Sequence, residues 1–219
     1  MSVAAIIFDL DGVLIDSEGV WQAARREIAL QNDGHWSGDP QRAMMGMSST
    51  EWSSYMHEEL GVSLPPQQIS EQVVTRLAEL YEKQVPLLPG ACETVIRLAS
   101  SWPLALASSA NRAIIDLVLK LAELTSCFGA TLSSEEVPRG KPAPDVYLEA
   151  AHRLGVPPTE CAAVEDSSNG LRSAAAAGML VFAVPNREFP PGPGALALAA
   201  DVLDSVAELT AERIEQVAP

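Results

Sequence analysis

The sequence predicts an α/β fold, a doubly wound parallel sheet with a small all-helical domain inserted after the first strand. Short apolar runs typical of strands buried on both faces alternate with segments of helical periodicity. This alternation is typical of a parallel sheet covered by helices on both sides. Residues 17–86 interrupt it, because they have helical periodicity without a strand pattern. We therefore expect a core domain formed by residues 1–16 and 87–219 and a helical domain formed by residues 17–86.

The predicted elements follow one another in a regular order. The first strand is the uncharged, branched run of residues 3–8, and later apolar runs predict strands at residues 104–107, 130–132, 161–164 and 180–184. Helical patterns connect them, at residues 91–100, 112–123, 143–154 and 168–177. The inserted segment contains helical patterns at residues 18–30, 49–60 and 67–84, separated by a turn at residues 32–34 and by the breaker Pro65-Pro66. The Pro/Gly-rich residues 190–194 predict a surface loop.

Composition limits the class of protein. A chain of 219 residues with 47% hydrophobic residues can form one large domain with a smaller insertion. No apolar stretch approaches the roughly 20 residues that span a bilayer. The first strand has no basic and apolar leader before it, so we expect no signal peptide and a cytoplasmic protein. Cys92, Cys127 and Cys161 lack CxxC spacing, which favours reduced, mostly buried thiols.

Charge limits the partners. The formal net charge of −15 argues against nucleic acid and anionic membranes as partners. It leaves an anionic small molecule open, because cations inside a cleft can dominate the local field.

Two aspartates at the end of the first strand are the most informative feature. Asp9 and Asp11 follow the apolar run one residue apart, so both side chains project roughly the same way from the strand end. Converging carboxylates repel each other unless a cation or a shared proton stabilises them. Ligands of open α/β sheets bind at such strand ends. The pair therefore indicates a site for a metal, for acid–base chemistry, or for both.

Polar residues with possible roles also lie after the second predicted core strand and in the loop before the helix at residues 143–154. Ser108 and Ser109 come after the second core strand, where a hydroxyl beside free backbone N–H groups suits an anion. Asn111 either contacts a substrate or caps the next helix. Lys141 lies between a glycine and a proline, and this rigid loop favours an inward side chain, whereas an isolated lysine is usually solvated. We expect Arg139 to lie at the surface and Asp145 to cap the helix that follows it.

Acids also end the fourth predicted strand. Glu165 and Asp166 follow an apolar run as Asp9 does, which suggests a second contribution to the same site. Asp166 or Ser167 could instead serve as the N-cap of the following helix, and capping is compatible with metal binding.

These segments together resemble the haloacid dehalogenase-like hydrolases. Residues 9–17 match the DxDGxxxDS signature, and the resemblance continues at Ser108, at residues 140–145 and at residues 164–170. It covers nearly all of the predicted core domain. The resemblance implies a Rossmann-like core and identifies the helical insertion as a mobile cap, hinged near residues 14–17 and 84–88.

The resemblance also implies roles for individual residues. Asp9 would attack phosphorus and Asp11 would act as general acid and base. Lys141 would pair with the nucleophile and the phosphate, and Ser108 would hold a phosphoryl oxygen. Mg²⁺ is the implied cofactor. Its implied ligands are Asp9, the main-chain carbonyl of Asp11, Asp166, and Glu165 either directly or through water.

The second aspartate narrows the choice of activity. Dehalogenases of the superfamily lack it and phosphonatases have a small residue there, so Asp11 argues against both. The related sugar phosphomutases carry a histidine in the first cap helix and a basic pair around a glycine of the first cap turn. The matching position for the histidine is Trp21, and those for the basic pair are Met45 and Ser49, near Gly46.

Few cations are therefore available to hold the second phosphate of a phosphomutase intermediate. Arg42 is the nearest cation to the turn around Gly46. We expect a Mg²⁺-dependent phosphatase of a small phosphorylated metabolite. The alternatives are a β-phosphoglucomutase-like isomerase and a catalytically silent metabolite-binding protein.

Overall fold

One parallel sheet organises the chain. The computed structural model describes residues 3–45, 47–187 and 189–218, and within these ranges the sheet has six strands in the order β3-β2-β1-β4-β5-β6. In chain order the strands are β1 (Ala5–Phe8), β2 (Leu104–Ser108), β3 (Ala130–Ser133), β4 (Cys161–Glu165), β5 (Leu180–Ala183) and β6 (Asp201–Val202). All neighbouring pairs are parallel. The strand order reverses between β1 and β4, which is where sheets of this kind bind ligands.

Helices precede, connect and cover the strands. In chain order they are α1 (Glu18–Gln31), α2 (Pro40–Met44), α3 (Ser49–Glu58), α4 (Pro66–Lys83), α5 (Ala91–Ala99), α6 (Arg112–Leu121), α7 (Asp145–Leu154), α8 (Ser168–Ala176), α9 (Pro193–Leu196) and α10 (Ala211–Val217). Short 3₁₀ turns lie at Thr125–Cys127, Ser134–Glu136, Pro158–Glu160 and Val206–Glu208.

The predicted α/β fold is confirmed. All five predicted strands are present, and the sheet adds the two-residue strand β6 beyond them. The sequence reading missed three short helices, α2, α9 and α10. Residues 190–194 were predicted to form a surface loop, but the last two of them begin α9.

Burial follows the two faces of the sheet. Every residue of β1 is buried, and alternate side chains enter different apolar clusters. Ile6 and Phe8 belong to one cluster, whereas Ala5 and Ile7 belong to the other. The continuous apolar run is therefore explained by a strand covered on both faces.

The segment between β1 and α5 is helical. In residues 17–45 and 47–86 it contains α1 to α4 and contributes no strand to the sheet. Its two connections run side by side, since the amide of Asp16 donates to the carbonyl of Pro86 at 2.8 Å and that of Leu88 to Leu14 at 3.0 Å. Its apolar side chains join the same cluster as Ile6 and Phe8. The domain boundaries expected from the sequence stay a prediction.

Two further expectations concern the chain as a whole. Across the described residues, no helix combines the length and the apolar character needed to cross a membrane. The three cysteines are free thiols, with Cys161 buried and Cys92 and Cys127 half-buried. Burial raises the pKa of Cys161 to about 11, so this thiol stays protonated at neutral pH.

Candidate active site

A cavity of about 410 Å³ lies at the carboxyl ends of the central strands. Six of the residues selected from the sequence line it: Asp9, Asp11, Arg42, Ser109, Lys141 and Asp166. Asp9 directly follows β1 and Asp166 directly follows β4, so the two acids flank the point where the strand order reverses. Ser108, Asn111 and Glu165 are buried and lie outside the cavity lining.

Lys141 is the cation at the centre of the site. Its Nζ lies 2.7 Å from Asp9 Oδ1 and 2.6 Å from Glu165 Oε1, and it donates to the carbonyl of Ala107 at 3.0 Å. The side chain is only 4% exposed. Burial alone would lower the pKa of Lys141, but the carboxylates of Asp9 and Glu165 outweigh it and raise the pKa. Lys141 therefore remains a charged ammonium held in one place.

Glu165 fixes this lysine from a fully buried position outside the cavity lining. Its Oε1 also accepts from the Tyr147 hydroxyl at 2.8 Å. Its Oε2 accepts from the amides of Asp166 at 3.1 Å and Ser167 at 3.3 Å, and from the Ser167 hydroxyl at 3.3 Å. Both oxygens of this buried carboxylate are therefore hydrogen-bonded, as buried polar groups usually are. A β-carbon at Gly170 would overlap this carboxylate, which explains a glycine in the first turn of α8.

Three buried acids lie close enough together to share a cation. Oxygens of Asp9, Glu165 and Asp166 are all within 4.8 Å of one another. Burial raises the pKa of Asp9 to about 8, with Lys141 opposing the shift and the carboxylates of Glu165 and Asp11 adding to it. Burial raises the pKa of Asp166 well above its usual value, and the carboxylates of Glu165, Asp9 and Glu18 add to the shift. Because Lys141 pairs with Asp9 and Glu165 while Asp166 also lies in the group, the cluster fits a divalent cation with oxygen ligands.

The approach of Asp166 to β1 depends on a glycine. Gly12 has a φ of +77°, and a β-carbon there would overlap the Asp166 carboxylate. Ser167 is the N-cap of α8, since its hydroxyl accepts from the amide of Gly170 at 3.0 Å. Of the two capping candidates in the sequence, the cap is therefore Ser167, and Asp166 lines the cavity.

Asp11 is held by side chains from two directions. The indole Nε1 of Trp21 donates to Oδ1 at 3.0 Å, and the hydroxyl of Ser108 contacts Oδ2 at 3.4 Å. Ser108 also accepts from the amide of Ala110 at 3.0 Å. Ser108 is fully buried and contacts Asp11, whereas Ser109 lies at the cavity surface.

The remaining predicted residues have mixed positions. Asn111 precedes α6 at the N-cap position but makes no capping bond, and its Nδ2 donates to Glu135 Oε1 at 2.7 Å. Arg42 is exposed and lines the cavity. The expectation that Asp145 caps a helix is wrong, because Asp145 lies in the first turn of α7 and its carboxylate accepts from Arg139, 3.0 Å away at Nη2. Arg139 lies at the surface as expected, with its side chain 70% exposed.

Sequence reasoning missed a second polar network at the cavity wall. Arg25 is 5% exposed, and its guanidinium lies 4.5 Å from the ring centre of Trp21 and 5.0 Å from that of Trp52. Its Nη1 donates to Gln41 Oε1 at 3.3 Å, and Gln41 Nε2 donates to Glu18 Oε2 at 2.5 Å. One signal was available: Arg25 is four residues after Trp21, on the apolar stripe of α1.

The structure describes most of the turn around Gly46, which contains the methionines Met44, Met45 and Met47. Met44, Met45 and Met47 form an apolar wall of the cavity. Met45, one of the positions that match the basic pair of the sugar phosphomutases, therefore places an apolar side chain at the cavity. The adjacent Gly46 lies outside the described residues.

The fold and the site together define a class of enzyme: a doubly wound α/β protein whose acids and lysine meet at the sheet's switch point. Residues 3–178 match the haloacid dehalogenase-like hydrolase family, so the chain belongs to that family and is a hydrolase. The resemblance found in its four sequence segments is thereby confirmed.

Known relatives cover nearly the whole chain. Hexitol phosphatase B of Escherichia coli (strain K12) is 35% identical over 217 residues, which cover 96% of this chain and 96% of that protein. The crystal structure of β-phosphoglucomutase from Clostridium difficile is similar with a TM-score of 0.85 and 26% identity, covering 100% of this chain and 97% of that one. CbbY from Rhodobacter sphaeroides, in complex with phosphate, has a TM-score of 0.83 and 27% identity, covering 94% and 96%.

Proposed function

We propose that this hydrolase is a Mg²⁺-dependent phosphatase of a small phosphorylated sugar or sugar alcohol. The observation that carries the proposal is the buried contact between Lys141 Nζ and Asp9 Oδ1 at 2.7 Å, beside Asp11 in one cavity. A relative at 35% identity is named hexitol phosphatase B, which supports this class of substrate.

Asp9 is the proposed nucleophile. Lys141 fixes one oxygen of the Asp9 carboxylate, and Gly12 leaves room for Asp166 to approach from β4. An oxygen of Asp9 forms a bond to phosphorus while the bond from phosphorus to the ester oxygen breaks. The product is an acyl-phosphate on Asp9, and covalent catalysis of this kind divides one difficult step into two easier steps.

Asp11 is the proposed acid and base. In the first step its carboxyl proton passes to the departing ester oxygen. In the second step the same carboxylate takes a proton from water, whose oxygen attacks phosphorus and releases phosphate and Asp9. Trp21 and Ser108 hold the two oxygens of Asp11, which supports a fixed direction for both transfers.

The proposed metal ligands are Asp9, Asp166 and the main-chain carbonyl of Asp11. When bound, Mg²⁺ supplies charge neutralisation and orientation for an anionic phosphoryl group. Both oxygens of Glu165 already accept hydrogen bonds, so we assign Glu165 to the surroundings of the site, where it positions Lys141.

The rest of the phosphate and substrate site is assigned by position. Ser109 lines the cavity just before α6 and is the proposed hydroxyl for a phosphoryl oxygen. Arg42 lines the cavity from α2 and is a proposed substrate contact. Ser108 and Asn111 are proposed to act indirectly, Ser108 through Asp11 and Asn111 through Glu135.

The helical segment is proposed to act as a cap. Trp21 reaches Asp11 from α1, and the Ser49 hydroxyl donates to Glu135 of the 3₁₀ turn after β3 at 2.5 Å. Release of these contacts would open the cavity to substrate, with the paired connections at residues 14–16 and 86–88 as the hinge.

A phosphomutase is the second candidate, because a β-phosphoglucomutase structure matches with a TM-score of 0.85. Such an enzyme must hold a second phosphate. Trp21 takes the place expected for the cap histidine, and three methionines line the neighbouring wall. These residues favour hydrolysis, and the complete set of acids together with Lys141 argues against a silent binding protein.

A panel of phosphate esters tests the proposal. We expect phosphate release from sugar and sugar alcohol phosphates with Mg²⁺, and none above background from folded Asp9→Asn. Asp204→Asn, an exposed acid far along the chain, is the matched control and is expected to keep wild-type rates. Conversion of glucose 1-phosphate to the 6-phosphate faster than phosphate release would favour the mutase. Absence of phosphate release from every ester, an aryl phosphate included, would refute the phosphatase.

A further inference from the structure

We propose that Glu18 and Arg25 of α1 form a subsite for the uncharged, hydroxyl-bearing tail of the substrate. The inference rests on the proposed phosphatase function. It assigns specificity to two residues on one helix, two turns apart and both at the cavity wall.

Arg25 carries a donor that the protein leaves unused. Its Nε is buried and has no hydrogen-bond partner among the described residues. Burial lowers the pKa of Arg25 to about 10, so the guanidinium remains charged at neutral pH. An unpaired buried donor is costly unless a ligand or water satisfies it. Arg25 lines the cavity, and the proposal places a substrate oxygen against its guanidinium from that side.

The surroundings of Arg25 fix its position without using all its donors. Trp21 and Trp52 stack on the guanidinium, which is a favourable cation–π arrangement. Gln41, which is 2% exposed, accepts from Arg25 and donates to Glu18. The side-chain amide of Gln41 therefore fixes the donor Arg25 and the acceptor Glu18 at set positions on one wall of the cavity. Neighbouring hydroxyls of a polyol offer the complementary acceptor and donor.

The charge around the cavity favours an uncharged tail over a second anion. Among the described lining residues, four carboxylates (Asp9, Asp11, Glu18 and Asp166) oppose three cations (Arg25, Arg42 and Lys141). A phosphate dianion would use the charge of a divalent cation, which leaves no excess positive charge for a second phosphate. Glu18 lies on the same helix face as Arg25 and would repel a second anionic group. Hydroxyl groups meet no such repulsion.

Arg25→Met tests the subsite by a ratio of rates. Methionine keeps an unbranched stem between the two tryptophans and removes every donor. We expect kcat/KM for a hexitol monophosphate to fall about 10- to 100-fold, and that for p-nitrophenyl phosphate, which has no tail hydroxyls, to fall less. Arg26→Met is the matched control, because Arg26 is the next residue of α1 and is exposed. Its expected ratio is that of the wild type.

A second variant keeps the test valid if Arg25→Met folds poorly. Glu18→Gln preserves the volume at residue 18 and is expected to lower the hexitol phosphate to aryl phosphate ratio in the same direction. An unchanged ratio in folded Arg25→Met or Glu18→Gln would overturn the subsite while leaving the phosphatase intact. A wild-type preference for aryl phosphate over every polyol phosphate, or a selective loss of bisphosphate turnover in Arg25→Met, would also overturn it. Failure of the wild type on all esters would refute the phosphatase itself.

Discussion

The indole Nε1 of Trp21 donates to Asp11 Oδ1 at 3.0 Å, so a helix outside the sheet holds a carboxylate at the end of β1. The same indole ring packs edge-on against Trp52 with ring centres 6.0 Å apart, and one face lies against Arg25. The orientation of the proposed acid and base is thereby linked to the packing of the helical segment. Trp21 therefore links the proposed catalytic role of Asp11 to the proposed tail subsite at Arg25.

Replacement of this indole tests the link. Trp21→Phe keeps an aromatic ring and removes the donor to Asp11, so we expect kcat for alkyl phosphates to fall about tenfold, the size of one hydrogen bond. Trp102→Phe is the matched control, because Trp102 also loses an indole hydrogen bond, 3.0 Å long, but to the carbonyl of Val3. Equal losses in the two variants would show that Trp21 contributes only packing.

The acidic cluster predicts a measurable response to metal. We expect exhaustive EDTA treatment to abolish turnover, Mg²⁺ to restore it, and Ca²⁺ to restore it poorly because Ca²⁺ takes more ligands in looser geometry. Mg²⁺ should also raise the Tm of the wild type by binding the folded state, and Asp166→Asn should lose this shift. Asp204→Asn, an exposed acid, is expected to keep the shift. Full activity after chelation, or an equal Tm shift in Asp166→Asn, would contradict the metal assignment.

Substitution of Gly170, which does not line the cavity, is expected to lower the stability of the protein. A β-carbon in Gly170→Ala would displace the Glu165 carboxylate and disturb its contacts with Lys141 and Tyr147. We expect a loss of about 1–3 kcal/mol in the free energy of unfolding, together with a lower kcat. Denaturant unfolding measures the first and phosphate release measures the second.

A second glycine of a helix provides the control for that substitution. A β-carbon at Gly19, in α1, would meet no atom of the described residues within 4 Å, so Gly19→Ala is expected to stabilise the protein by about 0.5–1 kcal/mol. Wild-type stability in Gly170→Ala would mean that Glu165 is not held as the structure has it.

The core of the fold and one half of the site were predictable from sequence. Strands β1 and β4 are continuous apolar runs, and the acids that end them are adjacent in sequence to the signal that predicts the strands. Because parallel strands share a carboxyl edge, Asp9 and Asp166 were expected at one site, and they flank one cavity. The two-residue β6 was missed because its length carries no periodicity.

The other half of the site depends on tertiary packing. Arginine is a residue type usually found in solvent, so the place of Arg25 on the apolar stripe of α1 was not enough to predict burial, which arises from Trp52 of α3 and Gln41 of α2. Sequence distance hides such contacts. The expected capping role of Asp145 was wrong because a side-chain contact takes its carboxylate. Arg139, six residues earlier, folds back and donates to that carboxylate.

The central claim is a phosphoryl group carried on Asp9 and released with the help of Asp11, and rapid quenching of Asp11→Asn with p-nitrophenyl phosphate tests it most directly. This leaving group needs little protonation, so the first step proceeds, whereas hydrolysis of the acyl-phosphate lacks its base and slows by about 10²–10⁴. We predict a burst of p-nitrophenol and a phosphorylated peptide whose modified residue is Asp9, with no burst in Asp9→Asn. Equal slowing of alkyl and aryl esters, with no phosphorylated enzyme or with phosphate on another residue, would contradict the account.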